Sequence, residues 1–137
     1  MEKHRILVID DEESLSRLLK LNLESTGGYE VRVLREGRLA VATAKEFKPH
    51  LILLDVIMPD IDGGEVADSV LADPLLERTP IIFLTAVAMK KEVEARGGVI
   101  GRFPFIAKPA TVPDILSAIQ RVLGAPPTPL RPSGPSR

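Results

Sequence analysis

Three stretches of the chain are short, apolar and uninterrupted: Ile6-Leu7-Val8-Ile9, Leu51-Ile52-Leu53-Leu54 and Ile81-Ile82-Phe83-Leu84. Runs of this length, rich in β-branched residues, suit strands buried on both faces. Tyr29 to Leu34 alternates apolar and polar positions, as a half-exposed strand does, and Phe103 to Ala107 reads as a last strand. Between them the period changes to that of a helix. Leu15, Leu18, Leu19 and Leu23 form one stripe, stopped by Gly27-Gly28. Ala40, Ala44 and Phe47 share a face within 37–48, closed by Pro49. Val66, Val70 and Leu71 mark a third helix, with Asp62 as its N-cap and Glu65 as the capping-box partner. A weaker helical segment runs to about Arg96, and Ile115, Leu116, Ile119, Val122 and Leu123 stripe a final helix that starts at Thr111 and Asp114.

Five strand–helix alternations predict an α/β domain with a parallel sheet covered on both faces, a three-layer (βα)5 sandwich. Pro104 lacks the N–H that a central strand donates, so the fifth strand belongs at an edge. An edge position for that strand agrees with a flavodoxin-like order of 2-1-3-4-5. Residues 1–124 make up the predicted domain. The remainder, 125–137, contains five prolines and no apolar period, and reads as a disordered tail.

Composition narrows the chemistry. With 137 residues the chain holds one domain plus a short tail, and 4% aromatic content predicts an aliphatic core. Eighteen basic against 19 acidic residues give a net charge of −1, so no electrostatic case exists for nucleic-acid or membrane partners. No cysteine is present, which removes disulfides, thiolate catalysis and cysteine-bound zinc, and His4 and His50 alone cannot make a histidine-rich metal site. No apolar run is long enough to span a bilayer and the N-terminus is charged; a cytoplasmic protein is expected.

In open parallel sheets, ligands bind beyond the carboxyl ends of the strands. Asp10 and Asp11 follow the first strand, Asp55 ends the third, Thr85 the fourth and Lys108 the fifth. In the proposed order, strands one and three are neighbours, so three carboxylates converge. Such a cluster is costly unless a cation joins it, and all-oxygen donors favour Mg²⁺ or a similar hard ion. Thr85 offers a hydroxyl and Lys108 a point charge. Around one carboxylate, these groups suit the stabilisation of a transferring phosphoryl group, with Asp55 as nucleophile. Taken singly, each residue also has a plain reading: Asp10-Asp11 as solvated loop acids, Thr85 as a helix cap, Lys108-Pro109 as an exposed turn.

The segments Val8-Ile9-Asp10-Asp11-Glu12, Leu54-Asp55-Val56-Ile57-Met58-Pro59-Asp60-Ile61-Asp62-Gly63, Leu84-Thr85-Ala86 and Ala107-Lys108-Pro109 together resemble the response regulator receiver domain of two-component signalling. The resemblance covers about residues 4–123 and is nearest to single-domain, chemotaxis-regulator-like members. It implies that Asp55 accepts a phosphoryl group from a histidine kinase or phosphotransfer protein. It further implies Mg²⁺ held by Asp10, Asp11, Asp55 and the Ile57 backbone carbonyl, with Thr85 and Lys108 contacting the phosphoryl group. Phe105 matches the switch aromatic, although as a half-buried residue it also reads as simple packing. Thr85 shares the switch role. A monomer or weak homodimer that catalyses only its own phosphorylation and dephosphorylation is expected, with a downstream protein partner the sequence does not name. Ile57 and Val87 occupy positions that flank the path of the hydrolytic water in the family. Being apolar, they predict slow self-dephosphorylation.

The chain departs from the family at Gly97-Gly98-Val99-Ile100-Gly101-Arg102, where three glycines replace the usual turn before the last strand. That departure supports an alternative, a receiver-like adaptor that binds partners without phosphorylation. A haloacid-dehalogenase-type phosphatase is disfavoured because the two aspartates are adjacent rather than spaced by one residue, and no cap domain is available. A flavin-binding domain would require a Ser/Thr/Gly-rich loop after the first strand, and none is present.

Overall fold

The computed structural model describes residues 3–86, 104–108 and 110–125, with Thr85 and Ala86 described by backbone only. Residues 1–2, the segment 87–103, Pro109 and 126–137 lie outside the described residues. With them go the helical segment to Arg96, the Gly97–Gly101 stretch, Val87 and the proline-rich tail.

The apolar runs become a single parallel sheet. Its strands are β1 (His4–Ile9), β2 (Tyr29–Leu34), β3 (Leu51–Asp55), β4 (Ile81–Ala86) and β5 (Phe105–Lys108), in the order β2-β1-β3-β4-β5. Register is set by pairs such as Val8 with Leu53, Leu53 with Ile82, and Phe83 with Phe105. Pro104 stands immediately before β5, at the sheet edge, and its carbonyl accepts the Phe83 N–H at 3.0 Å. The edge placement read from its missing N–H is correct, although the strand begins two residues later than the sequence suggests.

Side chains alternate across the sheet and build two cores. Leu7, Ile9, Ile52, Leu54, Ile81 and Phe83 face helices α2 (Ala40–Phe47) and α3 (Gly63–Ala72), and bury Ala44, Phe47, Val66 and Val70 with them. Ile6, Val8, Leu51, Leu53, Ile82 and Leu84 point the other way, onto α1 (Glu13–Ser25) and α4 (Val112–Leu123). Each central strand therefore needs apolar residues at every position, which is why those runs read as continuous. This is the flavodoxin-like three-layer architecture.

Local chemistry explains most element ends. Thr111 and Asp114 close a full capping box on α4, with Pro113 in the first turn. Asp62 caps α3 by accepting the Gly64 N–H at 2.7 Å, so its capping bond goes to the second helical residue rather than to Glu65. Lys48 ends α2 in the left-handed conformation, its N–H returning to the Ala44 carbonyl.

Two details differ from the sequence reading. Leu18 is 48% exposed while Ser16 is buried, because Leu15, Leu19 and Leu23 sit one helical turn apart and carry the inward face away from Leu18. The segment starting at Gly37 opens as a 3₁₀ turn, Gly37–Leu39, before α2 begins. Asp60, 23 and 22 positions away, accepts the Gly37 and Arg38 N–H groups at 3.3 and 3.1 Å and holds that turn. His4 and His50 lie at the opposite end of the sheet from the carboxylates. The His50 Nδ1 accepts the Arg5 N–H at 2.8 Å.

Candidate functional site

The C-terminal ends of β1, β3 and β5 bring the acids and the lysine together. Asp10 follows β1, and its backbone N–H is tied to the Leu34 carbonyl of β2 at 3.1 Å. Asp55 ends β3, and the next residue, Val56, donates to the Leu84 carbonyl at 3.0 Å. The chain then folds back so that the Gly63 N–H reaches the Val56 carbonyl at 2.8 Å. Only glycine fits there: a Cβ on Gly63 would press on the Asp55 carbonyl and lie 2.8 Å from Val56 Cα.

One carboxylate oxygen each from Asp10, Asp11 and Asp55 lies within 4.8 Å of the others. Asp10 is fully buried and Asp55 is 6% exposed. Asp10 Oδ1 accepts the Glu12 N–H at 2.8 Å and Asp55 Oδ1 accepts the Ile57 N–H at 3.2 Å. Lys108 Nζ stands 2.8 Å from Asp10 Oδ2, 3.2 Å from Glu12 Oε1 and 3.8 Å from Asp55 Oδ2. The Asp10 contact is the closest of the three, an ion pair between a fully buried carboxylate oxygen and the ammonium.

Burial is the largest influence on Asp55; with the neighbouring Asp10 charge it pushes the carboxyl up to about 7, against the opposing pull of Lys108 and the Ile57 N–H. Burial also opposes the charge on Lys108, but Asp10, Asp55 and Glu12 outweigh it and hold the ammonium above its ordinary range. Asp10, Asp55 and Glu12 share one ammonium, and with Asp11 beside them the acids outnumber it, Asp10 and Asp55 being the two that are buried. Oxygens of three carboxylates within 4.8 Å of one another, two of them on buried residues, fit a hard divalent cation. Beyond Asp11 the surface opens into a cleft of about 520 Å³ lined by Asp11, Arg35, Glu36, Pro59 and Asp60.

Asp10, Asp11, Asp55 and Lys108 thus meet as their places at strand ends suggested. The Thr85 backbone lies one residue before the end of β4, between β3 and β5, paired with Ala107. Phe105 is half-buried at the start of β5, packed against the core beneath α2 and α3. Ile57 is 48% exposed beside the acids. Two participants carried no role in the sequence reading: Glu12, which reaches Lys108, and Asp60, which ties the loop after Asp55 to the 3₁₀ turn. An acid directly after the aspartate pair was the available signal for Glu12, whereas Asp60 gave none.

The fold and the acid cluster at its strand ends are those of a signalling receiver. Residues 6–120 match the family described as the response regulator receiver domain, and the chain belongs to it. It is 35% identical over 119 residues to the phosphate regulon transcriptional regulatory protein PhoB of Rhizobium meliloti, covering 87% of this chain. The chain spans about half of that regulator, 52% of its length. Identity is also 35% to the polar-differentiation response regulator DivK of Brucella anthropi over 120 residues, covering 87% of this chain and 95% of DivK. Among solved structures it is similar to the receiver domain of a Pseudomonas aeruginosa PAO1 sensor histidine kinase, which holds a magnesium ion in its active-site cleft. That likeness has a TM-score of 0.76 and 28% identity, and covers 90% of this chain and all of that one. Receiver domains serve two-component signalling as switches rather than as enzymes on outside substrates. Among the described residues, no helix is long and apolar enough to cross a membrane.

Proposed function

We propose that the chain is a phosphorylation switch whose acceptor is Asp55, charged by a histidine kinase or phosphotransfer protein and read by a downstream protein partner. The convergence of Asp10, Asp11 and Asp55 with Lys108 carries this reading. An Asp55 oxygen attacks phosphorus. The phosphorus–nitrogen bond of the donor imidazole breaks, and the imidazole leaves with the electron pair and takes a proton from solvent. The product is an acyl phosphate on Asp55. Asp10, Asp11, Asp55 and the Ile57 carbonyl would hold Mg²⁺, which would supply charge compensation for the acids and for phosphoryl oxygens.

The chain's own groups do the rest. Lys108 places a positive charge within 3.8 Å of the acceptor oxygen and answers the charge spread over the transferring group. Thr85, at the end of the neighbouring strand, is assigned the hydroxyl contact to the phosphoryl group. The Ile57 N–H fixes one Asp55 oxygen and leaves the other for attack. The cleft beside Asp11 supplies room for a donor to approach. Thr85 and Phe105 form the switch pair on β4 and β5, with Phe105 moving by packing alone because it has no hydroxyl. Residues 1–124 constitute the switching unit, and 125–137 a tail.

The test is intact-mass measurement after acetyl phosphate treatment, with and without Mg²⁺, followed by mapping of the modified peptide. A Mg²⁺-dependent gain of one phosphoryl group on the Asp55 peptide, absent in Asp55→Asn, is expected. Retained modification in Asp55→Asn removes Asp55 from the role.

A further inference from the structure

Lys108 is shared unequally among its acids. An ammonium carries three N–H donors. Its position favours two of the three acids: Nζ lies 2.8 Å from Asp10 and gives Glu12 a hydrogen bond at 3.2 Å, while Asp55 stands off at 3.8 Å. Glu12 is the odd member of the set. The Asp10 and Asp55 side chains are 0% and 9% exposed, whereas that of Glu12 is 52% exposed. The Glu12 backbone already serves the loop and the helix: its N–H bonds Asp10 Oδ1, and its carbonyl accepts the Ser16 N–H at 3.2 Å. Its carboxylate makes no capping bond to α1. Instead it crosses from the start of α1 to the end of β5, a separation of 96 positions.

We infer that Glu12 is a positioning residue that parks Lys108 on the α1 side of the pocket and so restrains phosphoryl transfer to Asp55. The inference rests on the reading of Asp55 as acceptor. For the ammonium to follow charge onto a phosphoryl group at Asp55, its contact with Glu12 must lengthen or break. Asp10 and Asp55 are fixed by strand ends and belong to the acid cluster itself. Among the described residues, Glu12 is the partner of Lys108 whose charge can be removed with that cluster left whole. Because the pair lies at the solvated rim, it acts as a brake rather than a lock, and release should speed transfer by about two- to fivefold.

The experiment compares wild type, Glu12→Gln and Glu13→Gln for the rate of acyl-phosphate formation at saturating Mg²⁺. Glu13 is a neighbouring exposed acid that pairs with Arg17 and not with Lys108, so it controls for loss of charge alone. Two donors are used: acetyl phosphate, dianionic at neutral pH, and phosphoramidate, which carries less negative charge. Parking of Lys108 predicts that Glu12→Gln gains the same factor with both donors and Glu13→Gln gains none. A gain confined to acetyl phosphate means plain repulsion of the donor and overturns the inference. So does a Glu12→Gln rate that is no faster, or one matched by Glu13→Gln. Wild type that neither donor modifies at Asp55 overturns the acceptor reading instead, so the two failures are distinct.

Discussion

Asp55→Asn should make the domain more stable in the absence of divalent ions, with a pH dependence the structure specifies. The balance at Asp55 is between large terms. At an effective dielectric constant of 20, repulsion from Asp10 within 4.8 Å and attraction to Lys108 at 3.8 Å are each about 4 kcal/mol. The two nearly cancel, so the desolvation of a carboxylate only 6% exposed decides the sign. The native carboxyl titrates at about 7 against 3.8 for the ordinary group. Between those values the folded chain holds a proton that the unfolded chain has released, so stability falls as pH rises through that window. The full shift corresponds to about 4 kcal/mol above pH 7. Asparagine leaves a buried amide and takes a partner from Lys108, so about half should be recovered, about 2 kcal/mol or roughly 6–10 °C in Tm.

Thermal unfolding of both proteins in EDTA at low ionic strength, from pH 4.5 to 8, measures this. The advantage of Asp55→Asn should be smallest at the acid end and largest above pH 7. Saturating Mg²⁺ should raise the Tm of wild type more than that of the variant. An advantage that does not change with pH, or a variant less stable than wild type at pH 8, would refute the claim that burial sets the charge balance.

Three further outcomes are expected. Gly63→Ala should cost about 1–3 kcal/mol and slow acyl-phosphate formation, since the added methyl meets the backbone at Asp55 and Val56; urea unfolding and the mass assay read the two effects. His50→Ala should lose about 1 kcal/mol by removing the acceptor of the Arg5 N–H, while His50→Asn, which keeps an acceptor, should recover part of it in the same unfolding assay. The phosphoryl group should be long-lived, and replacing Ile57 by Asn with Val87 by Glu should shorten its lifetime by giving the water polar partners. An unchanged decay of the acyl phosphate in that double variant would count against the proposed path.

The sequence alone determined the layers and the strand ends. A parallel strand covered on both faces has no polar position to spare, so Ile6–Ile9, Leu51–Leu54 and Ile81–Leu84 are unbroken apolar runs, and each stops at or next to a residue of the site. The Pro104 ring marked the edge strand by a missing N–H, and Thr111 with Asp114 marked a helix start, because each of those signals acts within a few residues. Tertiary structure decided what depends on groups far apart in the chain. Leu18 leaves the expected apolar stripe for solvent because helical periodicity fixes the direction of a stripe only to about a residue, and the packed sheet selects it. The 3₁₀ turn at Gly37 is held by Asp60, and Lys108 is held among Asp10, Glu12 and Asp55. Side chains attached to separate strands compete for one amine over differences of a few tenths of an ångström to an ångström. No local pattern of residues encodes those distances; the lateral order of the strands does.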